Sequence, residues 1–170
     1  MTGLNPECDH ILEIAVIGSD VTLKHLTEGP SIIIHQPRSI LETMGEWVTE
    51  HHQASGLWDA VLASTISVEE AENEVITFVK TYCSSKRLLL AGNTVYQDRL
   101  FLRRYMPRLE SLFHYRLVDV STIKELVKAW YPQSSFANFK KKKQHRALDD
   151  IRESIDELRY YREHFFVNKT

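Results

Sequence analysis

Apolar and polar positions fall into blocks along the chain, and the period of the blocks changes partway. Residues 11–17 form a β-branched apolar run that Gly18-Ser19-Asp20 breaks, the pattern of a strand entering a turn. A second run covers 21–26, Glu28-Gly29-Pro30 turns the chain again, and 31–35 make a third run. Short strands between turns predict an antiparallel meander. From Ser67 the period becomes helical. Ser67 and Glu70 make a capping box, and Val68, Ala71, Val75, Phe78, Val79 and Tyr82 recur on one face. Residues 87–91 are a continuous apolar run, as in a buried strand, ended by Gly92-Asn93. A helix is expected over 95–106, stopped by Pro107, then a strand over 115–120. Ser121 can cap a helix running to Tyr131, and the last helix covers 147–166. Strands first, then strands alternating with helices, predict an α/β fold with a mixed sheet in one domain, 1–170.

Composition narrows the classes. The chain is 43% apolar and 26% charged over 170 residues, enough to build a core and too apolar for wholesale disorder. A net charge of −2 excludes a strongly basic nucleic-acid coat but leaves room for a local nucleic-acid site. Two cysteines cannot make a disulfide framework or a four-cysteine zinc site. No apolar run approaches a membrane span, and the first residues carry no secretory or transit pattern, so the expected location is the cytoplasm.

Two carboxylates stand out when helices are drawn at 100° per residue. In the last helix Ala147, Leu148, Ile151, Ile155, Leu158, Tyr161 and Phe165 form an apolar stripe. Asp150 borders that stripe, whereas Asp149 points away and should be solvated. In the helix after Gly92-Asn93, Asp98 falls within the face shared by Val95, Phe101, Leu102 and Tyr105. An unpaired buried carboxylate is costly, so that position needs a reason. A first-turn carboxylate complementing the helix dipole is one; a cleft that holds a metal ion or moves a proton is the other. His145 precedes the last helix, where a capping or core role competes with a catalytic one.

The segment His145-Arg146-Ala147-Leu148-Asp149-Asp150 resembles the H-x-A-x-x-D motif of the DEDDh 3′-to-5′ exonucleases. Gly92-Asn93-Thr94-Val95-Tyr96-Gln97-Asp98 resembles their motif carrying the middle Asp. Met1-Thr2-Gly3-Leu4, Ala54-Ser55-Gly56-Leu57, Phe113-His114-Tyr115-Arg116, Asp119-Val120-Ser121-Thr122 and Tyr160-Tyr161-Arg162-Glu163-His164-Phe165 extend the likeness, which is narrowest to the oligoribonuclease branch. The resemblance implies a ribonuclease H-like mixed sheet flanked by helices, and a homodimer. It implies stepwise release of 5′-mononucleotides from short single-stranded RNA by two-metal hydrolysis with Mg²⁺ or Mn²⁺. On that pattern Asp150 and Asp98 are metal ligands and His145 is the general base. Leu4 is a wedge between bases, Trp47 and His52 line the nucleotide pocket, and Thr94 lies near the phosphate. His114, Tyr115 and Arg116 reach the partner's substrate. Core packing is the competing role for Trp47 and Tyr115.

One departure matters. The family's D-x-E strand directly precedes Met-Thr-Gly-Leu, and here that tetrapeptide opens the sequence. The expectation is therefore a sequence lacking its first strand and two of four catalytic carboxylates, from an incomplete 5′ end or a short form. A preceding segment would leave a mitochondrial location open. A short form is expected to be inactive and to bind RNA or pair with a full-length partner; a DNA-directed exonuclease is the other alternative. Lys140 to Lys143 form either a solvated loop or a contact to the RNA backbone.

Overall fold

The computed structural model describes residues 1–83, 87–139 and 146–166. His145 and the run Lys140 to Lys143 lie outside the described residues.

The fold is mixed α/β. Strands β1 (Glu13–Ser19) and β2 (Leu26–Ile33) form an antiparallel hairpin rather than the expected three-stranded meander. Residues 21–25 are the hairpin turn, not a strand. The Asp20 carboxylate takes the Thr22 hydroxyl at 2.8 Å and the Lys24 N–H at 3.0 Å, and those local bonds outcompete a ladder. Gly29-Pro30, expected as a turn, sits inside β2. Ala15 pairs with Ser31 and Ile17 with Glu28, so Gly29 and Pro30 together oppose Val16 in a bulge. A bulge tolerates the proline's missing N–H. The glycine answers a packing demand, because an added Cβ would lie 2.7 Å from Val16 Cγ1 and 2.8 Å from Phe78 Cε1. Gly29→Ala is expected to cost about 1–3 kcal/mol, read as a lower denaturant midpoint at unchanged slope.

Helices α1 (Arg38–Leu41), α2 (Glu46–Ala54) and α3 (Leu57–Ala63) follow. The hydropathy pattern does not announce them; α2 has no buried residue. Helix α4 (Val68–Tyr82) begins at Ser67 with the expected capping box. Its buried face carries Ala71, Val75, Phe78 and Val79 into a core with Ile11, Ile32, Ile34, Phe101, Met106 and Leu109.

Strand β3 (Leu88–Gly92), helices α5 (Val95–Tyr105) and α6 (Pro107–Glu110), and strand β4 (Phe113–Asp119) make a crossover, with β3 and β4 parallel. Among the described residues, β3–β4 and β1–β2 are separate two-stranded sheets. Helix α7 (Val120–Trp130) is capped by Asp119, whose carboxylate accepts the Ser121 N–H at 2.9 Å; Ser121 is not the cap. An aspartate at a strand end already has the extended backbone an N-cap needs.

Helix α8 (Ala147–Phe165) closes the fold against β1, β3 and α7. Its most buried line is Ser154, Glu157 and Tyr161; of the predicted apolar stripe Tyr161 lies on this line, and the other members are half-buried. The two Asp positions are also reversed. Asp149 is half-buried beside Arg152 at 3.3 Å, and Asp150 is exposed. Among the described residues no helix is long and apolar enough to cross a membrane.

Candidate functional site

Residues 1–10 form a loop stapled by one carboxylate. Asp9 accepts the Thr2 hydroxyl and the Asn5 N–H, each at 2.9 Å, and the Tyr105 hydroxyl donates to the Asp9 carbonyl at 2.6 Å. Gly3 fits where a Cβ would lie 2.6 Å from Asp9 Cγ. Leu4 is held at the tip, 74% exposed. His52, on α2, donates from Nε2 to the Met1 carbonyl at 3.0 Å. Burial holds its pKa below the ordinary histidine value, so the ring is neutral near pH 7. On the other flank, Gln97 donates to the Leu4 carbonyl.

Asp98 is the next residue on α5. The expectation that it shares the helix's apolar face is wrong. Val95, Arg99, Phe101 and Leu102 are buried, and Asp98 is accessible. Its carboxyl nonetheless has its pKa raised to about 6 by burial, with Asp119 pushing the same way against its own backbone N–H and the Met1 amine. Among the described residues it makes no ion pair with a side chain.

The turn before Asp98 is strained. Thr94 has φ of 54°, a left-handed conformation unusual for a β-branched residue. Asp119 holds it there by accepting the Thr94 N–H at 3.0 Å, and the Thr94 and Ser121 hydroxyls meet at 3.1 Å.

Asp150 lies in the first turn of α8. Ser154 Oγ is 2.8 Å from the Asp150 carbonyl and 2.6 Å from Asn93 Oδ1, which ties α8 to the turn carrying Thr94. The start of α8 is fixed from β1. Glu13 faces inward, accepts the Ala147 N–H at 3.1 Å and binds the Arg146 guanidinium at 2.8 Å. That hydrogen bond raises Arg146 above its ordinary pKa, and Glu13 is thereby engaged.

The remaining candidates are displayed rather than packed. Trp47 is 65% exposed on α2 and Tyr115 is 70% exposed on β4, which disposes of the core role for both. Trp47 lies against His51, ring centroids 3.9 Å apart. Tyr115 sits between its neighbours: His114 at 4.3 Å between ring centroids, and the Arg116 guanidinium 5.5 Å from the ring. Desolvation, then Arg87, Arg116 and Arg99, keep His114 below its ordinary pKa, and Nδ1 of that neutral ring accepts the Arg116 N–H at 3.1 Å. Arg99, buried beside Asp98, donates to the His114 carbonyl at 2.9 Å and pairs with Glu110 at 2.7 Å. One helix thus supports both the acid and the aromatic segment.

The structure therefore ties the loop carrying Leu4 to His52 on one side and to Gln97, the residue before Asp98, on the other, and ties the Asp150 helix to the turn leading to Asp98. Tyr115 and its neighbours form a separate cluster on β4. Among the described residues no three His, Cys, Asp or Glu side chains gather as a metal site. The donor chemistry at hand, accessible carboxylates at Asp98 and Asp150, is that of a hard divalent ion. Sequence reasoning gave no role to Asn93, Arg99, Arg146 or Glu157. A signal existed for Glu157, since Ser154, Glu157 and Tyr161 are spaced three and four apart on one helical line.

Comparison with known proteins places the chain in a family. The profile of the RNase_T exonuclease family matches residues 1–158. An oligoribonuclease of Dichelobacter nodosus is 51% identical over 168 residues, covering 99% of this chain and 92% of the relative. One of Thiobacillus denitrificans is 50% identical, with 97% and 90% covered, and one of Pseudomonas aeruginosa is 52% identical, with 97% and 91% covered. Exonucleases of this family act on nucleic acids and use divalent metal ions. Two acid-bearing helices tied to one β–α turn, with an exposed apolar tip beside them, belong to a mixed α/β fold of the ribonuclease H-like kind, and this chain is a member of the RNase_T exonuclease family.

Proposed function

We propose that the protein is a 3′-to-5′ exoribonuclease that degrades short single-stranded RNA to 5′-mononucleotides. The observation that carries it is the adjacency of an exposed apolar tip to an accessible acid: Gln97 holds the Leu4 loop, and Asp98 follows it in sequence. Leu4 packs between terminal bases, which suits any sequence because every base has a stacking face. Trp47 and His52 line the nucleotide pocket, and Thr94 lies near the phosphate. Asp98 and Asp150 would hold the divalent ions. Mg²⁺ or Mn²⁺, when bound in a two-metal arrangement, supplies charge neutralisation and Lewis acidity toward the phosphodiester. His145, outside the described residues, serves as general base: an unperturbed imidazole has pKa ~6.5 and is mostly neutral at working pH. His114, Tyr115 and Arg116 reach the substrate of a second copy in a homodimer, in keeping with the exposure of Tyr115.

The test is turnover of labelled RNA and DNA dinucleotides with Mg²⁺, Mn²⁺ or chelator. Release of 5′-mononucleotides from RNA, abolished by chelator, is the expected result. Equal cleavage of DNA would overturn the RNA assignment. Binding without turnover would favour a binding-only chain. Leu4→Ala is expected to raise the KM for the dinucleotide about tenfold, the worth of one stacking contact, with kcat little changed; the two constants, measured separately, check it.

A further inference from the structure

Glu157 is a carboxylate with 0% exposure, and nothing above uses it. Lys124 pairs with it at 3.9 Å and is itself partly in solvent. Two neutral groups stand closer. Asn93 donates from Nδ2 to Glu157 Oε2 at 2.9 Å, and the Tyr161 hydroxyl donates to Oε1 at 3.0 Å. A buried carboxylate satisfied this way contributes little to stability compared with an apolar residue of its size. What it supplies is direction, since each oxygen accepts a bond from a defined place.

The place it defines is the Asn93 amide. With Nδ2 committed to Glu157, Oδ1 must face the other way, where it takes the Ser154 hydroxyl at 2.6 Å. The same oxygen lies 2.8 Å from the Asp150 carbonyl, so its one proton is shared between two acceptors. Asn93 is followed by strained Thr94 and the first turn of α5, which carries Asp98. A short chain of polar contacts therefore joins the backbone at Asp150 to the turn that sets Asp98, and Glu157 orients its central member.

We propose that Glu157, acting through Asn93 and Ser154, is a positioning residue that sets the spacing between Asp150 and Asp98. This rests on reading those two acids as the site. The test compares Glu157→Ala, Glu157→Gln and Ser154→Ala with the wild-type chain by amide hydrogen exchange and by RNA-dinucleotide kinetics. Glu157→Ala is expected to speed exchange about tenfold at residues 93–98 and 150–154 while β1, β2 and α4 stay within about twofold. The kcat falls about tenfold with KM little changed, in the range set by loss of an outer contact to a metal ligand. Glu157→Gln, which keeps an acceptor toward Asn93, recovers most of the loss. Ser154→Ala, which removes only a hydroxyl, shows the same local pattern more weakly, and decides the question if Glu157→Ala does not fold. Exchange that rises equally in every element, or not at all at 93–98, overturns the proposal. If the wild-type chain turns over no RNA, the exonuclease reading fails, and the exchange pattern still decides whether the clasp exists.

Discussion

Asp98→Asn is expected to do two opposite things, lowering RNA turnover by about a hundredfold or more while making the metal-free fold more stable at pH 8. On the proposed function, the loss follows from removing a carboxylate that would help hold the divalent ion at the phosphate. The gain follows from the pKa. Asp98 ionises at about 6 in the folded chain, against 3.8 for a free aspartate. As pH rises through that interval the unfolded chain gives up its proton first, so stability falls across the window, and the penalty is complete above the folded pKa. Asparagine carries no such penalty. Because Asp98 is accessible, solvent screens the effect, and the gain should be about 1 kcal/mol or less. Urea midpoints of both proteins at pH 4 and pH 8 in chelator check it: the curves should nearly coincide at the lower pH and separate at the higher. A variant no more stable at pH 8 would mean that Asp98 is not desolvated.

Glu72→Ala carries the largest expected stability loss, about 3 kcal/mol. Glu72 is 4% exposed on α4 and serves the start of α6. It accepts the Arg108 N–H at 2.8 Å and the Leu109 N–H at 3.0 Å, and binds the Arg108 side chain at 2.9 Å. Truncation strands two backbone donors, one of them on buried Leu109, and leaves Arg108 without its close carboxylate. Glu72→Gln keeps one acceptor and should lose roughly half as much. Denaturant midpoints of the three proteins decide it; equal midpoints for Ala and wild type would show that water reaches these donors.

Much of the frame was legible because it rests on local rules. The capping box at Ser67, the apolar run before Gly92-Asn93 and the stop at Pro107 each predict an element that the structure contains. In the hairpin, the second strand was misread for want of a contact distant in sequence: Gly29-Pro30 reads as a turn until Val16 and Phe78 press against Gly29. Helices α1 to α3 escaped because α2, with no buried face, carries no periodic signal. At the site, motif likeness picked out Asp98 and Asp150, but helical geometry placed both wrongly. Angles on an isolated helix cannot register that Arg99 takes the buried position beside Asp98 to hold Glu110 and the His114 carbonyl. The spacing of Ser154, Glu157 and Tyr161 marks one helical line, but nothing local says that it is buried, since its partners Asn93 and Lys124 come from other elements.

The contact from Glu13 to Arg146 and Ala147 also bears on the order of assembly. It spans a sequence separation of 133 residues, and the entropy of closing such a loop is lost before the contact returns anything. Helix α8 therefore receives its N-terminal anchor only once β1 is in place. The hairpin with α4 can consolidate from nearby contacts, whereas the helix that carries Asp150 is secured by the two ends of the chain meeting. On this order of assembly, a chain paused before that closure would hold most of its core while the acids of the proposed site were not yet fixed.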